Sequence, residues 1–250
     1  MMNLQNKVCL VTGGTKGIGA AVAVALAQHG ADVAINGRRE DAEGRQVLER
    51  IGAVGRRGHL VVADVSVPAE ATRSVEETRR VLGPVDVLVH SAGGPASGDV
   101  LGISAEAWYA AFDIHVHAAF HLCRAAIPDM KRRREGAIIL VSSVAALRGV
   151  PNAVAYCTVK AALPQFTRSL ARDLADDNIR VNCIAPGIIR TRFHENMTAG
   201  QARHNIENRI PLHREGSADD VAEVVMTLVT NEFMTGETVT VDGGMTMRIV

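Results

Sequence analysis

The sequence predicts an α/β protein, a doubly wound sheet of about seven parallel strands with helices on both faces. Short, continuous apolar runs recur along the chain, and a strand covered on both faces needs such a run because neither side meets water. The segments between most of these runs carry apolar residues at helical spacing. The length, 250 residues, suits one large domain spanning 1–250, because α/β architectures of this size often surround a single sheet.

The first run is Val8-Cys9-Leu10-Val11, followed by a Gly-rich turn and by helical spacing over residues 18–26. Further strands are expected at 33–35, 60–63, 85–89, 137–141, 179–185 and 238–241. No long Pro/Ser linker, low-complexity tract or short-period repeat divides the chain. The polar, weakly periodic stretch 190–216, between the sixth and seventh strands, is the expected mobile substrate loop.

Hydrophobic residues make up 47% of the chain and its formal net charge is zero. This gives no electrostatic reason to expect nucleic acid or an anionic membrane as partner, so small molecules are expected. Cys9, Cys123, Cys157 and Cys183 are far apart and show no Cys-x-x-Cys spacing. They read as reduced core thiols, with no metal site and no disulfide framework. No basic, apolar leader and no apolar stretch long enough for a bilayer is visible, which points to the cytoplasm.

Thr12-Gly13-Gly14-Thr15-Lys16-Gly17-Ile18-Gly19 sits between the first strand and its helix. Missing β-carbons let the backbone approach a phosphate there, and a helix N-terminus supplies free N–H groups and positive dipole. Glycines also serve ordinary turns, but this position after the first buried strand favours a Rossmann-type dinucleotide site. At the end of the second strand, Asn36-Gly37-Arg38-Arg39 has no acid to accept from a ribose and offers two guanidinium groups. With Lys16 on the same side, NADP(H) is the expected cofactor, although each cation alone would read as a solvated surface charge.

Tyr156-Cys157-Thr158-Val159-Lys160 places a phenol and an ammonium four residues apart on one helical face. A tyrosine with a pKa of about 10 is a poor base at neutral pH, but a nearby lysine and an oxidised nicotinamide both favour the phenolate. Taken alone, such a pair is more often a surface packing contact.

Over essentially its whole length the chain resembles the short-chain dehydrogenase/reductases. The likeness rests on the Gly-rich turn, Asp64-Val65, Ala92-Gly93, Ser143, Tyr156 with Lys160, Pro186-Gly187 with Ile189 and Thr191, and Val241-Asp242-Gly243-Gly244. It implies an oxidoreductase moving a hydride between a nicotinamide and a carbonyl or secondary-alcohol carbon. Tyr156 would protonate the substrate oxygen, Ser143 would hydrogen-bond it, and Lys160 would hold the nicotinamide ribose and lower the Tyr156 pKa. Asp64 would meet the adenine and Thr191 the carboxamide, whereas the Val241-Asp242-Gly243-Gly244 run reads as architectural. A homotetramer is implied as well.

The chain departs from the family pattern at three places. His115 stands where members usually carry an asparagine that keeps a relay water behind the lysine. Imidazole both donates and accepts, so His115 holds the relay water, or titrates near neutrality and adds a pH dependence, or is a packed core histidine. His90-Ser91-Ala92-Gly93 replaces Asn-Asn-Ala-Gly but keeps the Ala-Gly step. Pro164 has no N–H and lies four residues after Lys160, which predicts a local kink and a Lys160 carbonyl without its helical donor.

Gly94, Pro95, Val144, Ile188 and the 190–216 stretch are the expected substrate contacts. Arg190, Arg192, Arg203, Arg209 and Arg214 there are partly offset by Glu195, Glu207 and Glu215. Lys131-Arg132-Arg133-Arg134 would suit an acidic acyl carrier protein, as for a 3-oxoacyl reductase, or would simply complement a helix C-terminus. Asp176-Asp177 argues against carrier docking. Three readings stay open: a ketone reductase or alcohol dehydrogenase, a carrier-dependent 3-oxoacyl reductase, and a catalytically weak nucleotide-binding scaffold.

Overall fold

The computed structural model describes residues 1–191 and 197–247. Its strands are β1 (Val8–Thr12), β2 (Asp32–Gly37), β3 (Gly58–Val62), β4 (Val87–His90), β5 (Gly136–Val141), β6 (Ile179–Pro186) and β7 (Thr238–Val241). All pair in parallel, in the order β3-β2-β1-β4-β5-β6-β7. Each expected run is a strand, with ends displaced by two residues at most.

The helices are α1 (Gly17–Gln28), α2 (Ala42–Ala53), α3 (Pro68–Val81), α4 (Ala105–Phe112), α5 (Ala118–Arg133), α6 (Val154–Leu174), α7 (Ala199–His204) and α8 (Ala218–Thr230). Side chains alternate between the two faces of a strand, so β1 sends Cys9 and Val11 to one core and Val8 and Leu10 to the other. The first core closes against Val22 and Leu26 of α1, Val47 and Ile51 of α2, and Val225 and Leu228 of α8. The second closes against Val75 of α3, Leu122 and Met130 of α5, and Leu163 and Leu174 of α6. Covering on both sides is why the runs are continuously apolar.

β1 pairs with β2 on one side and β4 on the other, and Thr12, at its carboxyl end, faces both Asn36 and His90. Strand order reverses here, which opens a crevice above the carboxyl ends of β1 and β4. Between α4 and α5 the backbone widens into a π-turn, Asp113–His117, which leaves His115 buried. The expected loop is only partly irregular: it contains α7 and a second π-turn, Asn205–Arg209. Arg192 and Glu195 of that stretch lie outside the described residues. Among the described residues no helix is long and apolar enough to cross a membrane.

Candidate active site

The α1 N-terminus is left open by its own sequence. Asp41, Ser104 and Ser217 cap α2, α4 and α8 with side-chain oxygens, whereas Lys16, at the α1 N-cap, makes no such bond. The first N–H groups of α1 are therefore available to an anion. Gly13 (φ 63°) and Gly17 (φ 57°) adopt left-handed backbone conformations. A Cβ on Gly13 would lie 2.9 Å from the Ala92 backbone, so the turn and the end of β4 meet only because that atom is missing. Behind them Thr12 Oγ1 accepts from the Ala92 N–H at 3.3 Å and pairs with His90 Nδ1 at 2.8 Å, fixing the Ala92-Gly93 step.

This cradle forms one end of a cavity of about 1140 Å³, large for a single small ligand and roomy enough for a dinucleotide with a substrate. Gly13, Thr15, Lys16, Gly17, Ile18, Gly19, Arg39, Ala92 and Gly93 line it, as do Pro186, Gly187, Ile189 and Thr191. His115, Ser143, Tyr156 and Lys160 line its other part. Arg38, Asp64 and Val65 do not. Arg38 is exposed, Val65 is buried, and Asp64 Oδ1 accepts from the Ser66 N–H at 3.1 Å and from its hydroxyl at 2.7 Å. An open cradle, cations at Lys16 and Arg39 and no acid at the end of β2 fit a nicotinamide dinucleotide.

At the chemical end, Ser143 leaves β5 as the N-cap of a short 3-10 turn, and α6 presents Tyr156 and Lys160 one turn apart. Burial lifts the Tyr156 phenol above its ordinary pKa, and the Ser143 side chain pulls it back down. Lys160 approaches the Tyr156 ring from within the core. Its Nζ donates to the Val141 carbonyl at 2.8 Å and lies 5.7 Å from the Tyr156 ring centre. Burial lowers the ammonium to about 8.

His115 stands edge-on to Tyr156, ring centres 5.9 Å apart. Its Nε2–H donates to the Gly94 carbonyl at 3.0 Å, which leaves Nδ1 as a buried lone pair with no partner among the described residues. Desolvation and the Lys160 charge hold its pKa far below the ordinary value of 6.5. The ring is neutral, which corrects the expectation that it titrates near neutrality.

Pro164 leaves the Lys160 carbonyl without its helical N–H donor, as expected. α6 nevertheless continues as one helix through it, and the carbonyl has another donor. The Ser142 hydroxyl donates to it at 2.7 Å, within the core. Sequence reasoning had singled out Ser143 and passed over Ser142; the signal available was a proline demanding a substitute donor.

The charged segments are mostly engaged internally. Lys131 pairs with Asp177 at 2.8 Å, Arg132 with Asp129, Arg133 with Asp86 at 3.1 Å, and Arg134 donates to the Asp176 carbonyl at 2.6 Å. In the loop Arg190 pairs with Glu215 at 3.0 Å and Arg214 with Asp220 at 2.9 Å. Arg209, which lines the cavity, is held by Asn205 Oδ1 at 2.9 Å. Met197, Gln201, His204 and Asn205 line it too.

Fold and site together define an α/β oxidoreductase of the nicotinamide-binding type, and comparison with known proteins agrees. A family model described as Enoyl-(Acyl carrier protein) reductase matches residues 13–246. The chain is 34% identical over 248 residues to the 3-oxoacyl-[acyl-carrier-protein] reductase FabG of Chlamydia muridarum, covering 97% of this chain and 98% of that protein. It is 35% identical over 253 residues to human dehydrogenase/reductase SDR family member 4, covering 98% and 90%. Among solved structures, a short-chain dehydrogenase/reductase from Mycobacterium ulcerans superposes with a TM-score of 0.92 at 30% identity, covering 99% of this chain and 92% of that one. A blue fluorescent protein from a metagenomic library, in complex with NADPH, superposes with a TM-score of 0.89 at 33% identity, covering 98% and 100%. The chain belongs to the short-chain dehydrogenase/reductase family, oxidoreductases that use nicotinamide cofactors on carbonyl and alcohol groups of small molecules.

Proposed function

We propose that this protein is an NADP(H)-dependent ketone reductase or alcohol dehydrogenase in which Tyr156 is the general acid and base. The observation that carries the reading is the convergence of Ser143, Tyr156 and Lys160 on the same cavity as the uncapped α1 N-terminus. Lys16 and Arg39 on the cavity wall, with no acid at the end of β2, favour the 2′-phosphorylated cofactor. The likeness to an NADPH-bound structure supports it.

Bound there, NADPH would supply the hydride to a carbonyl carbon. Ser143 donates a hydrogen bond to the carbonyl oxygen and Tyr156 delivers a proton to the oxyanion. The raised pKa of Tyr156 keeps that proton in place at neutral pH. Lys160, charged below about pH 8, holds the ribose and stabilises negative charge on the phenol. His115 takes part as a neutral group, offering its Nδ1 lone pair at the cavity wall. The cofactor contacts proposed for Asp64 and Val65 lie at the adenine end. A cytoplasmic homotetramer goes with the family likeness; exposed Tyr109 and Phe120 on α4 and α5 support an interface there.

The likeness to a 3-oxoacyl-[acyl-carrier-protein] reductase supports a second reading, carrier-linked 3-oxoacyl reduction. The internal pairing of Lys131, Arg132, Arg133 and Arg134 counts against an acidic carrier docking on that run. The test is NADPH oxidation over ketones, free and carrier-linked 3-oxoacyl thioesters, sugars and quinones. Turnover of free ketones supports the first reading and turnover confined to carrier-linked substrates the second. Tight NADPH binding with no turnover would leave a nucleotide-binding scaffold.

A further inference from the structure

Lys160 is gripped at both ends by adjacent residues of the β5 terminus. The Val141 carbonyl accepts from its ammonium at 2.8 Å, and the Ser142 hydroxyl donates to its main-chain carbonyl at 2.7 Å. The second contact exists because of Pro164. In an uninterrupted helix the N–H four residues on would occupy that carbonyl, and proline has none. Ser142 is buried, and its own N–H donates to the Ile184 carbonyl at 2.7 Å, so the hydroxyl stands on a fixed part of the sheet. Thr158 and Thr167 show how hydroxyls in α6 otherwise behave: Thr158 back-bonds to Val154 at 2.8 Å, whereas the Thr167 hydroxyl is buried beside the Cys183 thiol. Ser142 is thus the donor that fills the vacancy, across 18 residues of sequence.

We infer that Ser142 is a positioning residue, which sets the height of Lys160 along α6 and with it the Lys160 and Tyr156 pair. The inference rests on the proposed reductase chemistry. Without the hydroxyl, the buried Lys160 carbonyl loses this donor, and the helix relieves the loss by moving at Lys160. A shift of that kind lowers turnover more than substrate binding.

The experiment is a double-mutant cycle of Ser142→Ala with Pro164→Ala, reading kcat and KM for the best ketone at saturating NADPH, and NADPH affinity. Pro164→Ala restores an N–H facing the Lys160 carbonyl and makes the serine redundant. Ser142→Ala alone is expected to lower kcat about tenfold, equivalent to about 1.4 kcal/mol, with KM for the ketone little changed. In the Pro164→Ala background the same change is expected to lower kcat very little. Ser142→Thr, which keeps the hydroxyl, is expected to retain turnover. Equal losses in both backgrounds, or an unaffected Ser142→Ala enzyme, overturn the inference. If Ser142→Ala fails to fold, the double variant decides: recovery of soluble, active protein supports the inference and continued failure refutes it. Absence of NADPH-dependent turnover in the wild type would count against the reductase reading itself, a result distinct from any outcome of the cycle.

Discussion

The His115 ring occupies the space that a side chain at residue 93 would need: a Cβ on Gly93 would lie 2.7 Å from His115 Nδ1. The ring is anchored there by its bond to the Gly94 carbonyl, so it cannot simply swing aside. Glycine at 93 and histidine at 115 are a matched pair. Gly93→Ala is expected to destabilise the fold by about 1–3 kcal/mol through overpacking. At this chain length that lowers Tm by about 2–12 °C. Gly93→Ala combined with His115→Ala recovers part of the loss, read by thermal unfolding; strictly additive penalties would argue against the pairing.

The depressed pKa of His115 predicts how stability changes with pH. Above about 6.5, its ordinary value, the ring is neutral both folded and unfolded, and its contribution is fully present. As pH falls below that value the unfolded chain takes up a proton that the buried ring refuses, so stability drops. His90, lowered by burial to about 4, adds to the same trend. Melting temperature followed from pH 8 down to pH 5 is expected to fall more steeply in the wild type than in His115→Asn. Parallel curves would mean that His115 ionises normally in the folded protein.

Much of the architecture was legible because of what a parallel strand demands. Buried on both faces, residues 137–141 of β5 leave a continuous apolar run that no alternating surface strand would show. The Gly-rich turn was legible for a local reason, since positive φ at Gly13 and Gly17 excludes most other residues. What escaped reading depends on elements meeting in space. Ser142 reaches Lys160 only once β5 and α6 are packed, and the choice between Arg38 and Arg39 depends on how the chain leaves β2. The π-turn at Asp113–His117 inserts itself within an ordinary helical pattern, so the inward aim and the neutral state of His115 left no mark in the sequence.

Lys160 sets the alkaline side of the activity profile. Its lowered value of about 8 means that charge on the ammonium is lost as pH rises through that point, while the raised Tyr156 phenol keeps its proton. For carbonyl reduction, kcat/KM reports the free enzyme and is expected to decline above about pH 8. A profile that stays flat until about pH 10 would assign the ionisation to Tyr156 instead.

Cofactor choice separates the two arginines after β2. Arg39 lines the cavity whereas Arg38 does not. Arg39→Ala is expected to weaken NADPH about tenfold, as loss of one exposed charge-assisted contact does, and to leave NADH nearly unchanged. Arg38→Ala should have the smaller effect. Fluorescence titration of both cofactors checks this, and a larger selectivity loss at Arg38 would reverse the assignment.

The central claim is that Tyr156 delivers the proton in NADPH-dependent carbonyl reduction, and Tyr156→Phe tests it most directly. The substitution removes one oxygen and leaves the ring against His115 and Lys160. With the best ketone from the substrate screen, kcat for NADPH oxidation is expected to fall about 10²–10⁴-fold, the usual contribution of a general acid, while NADPH binds as to the wild type. Turnover that persists near the wild-type rate in the phenylalanine variant would contradict the account.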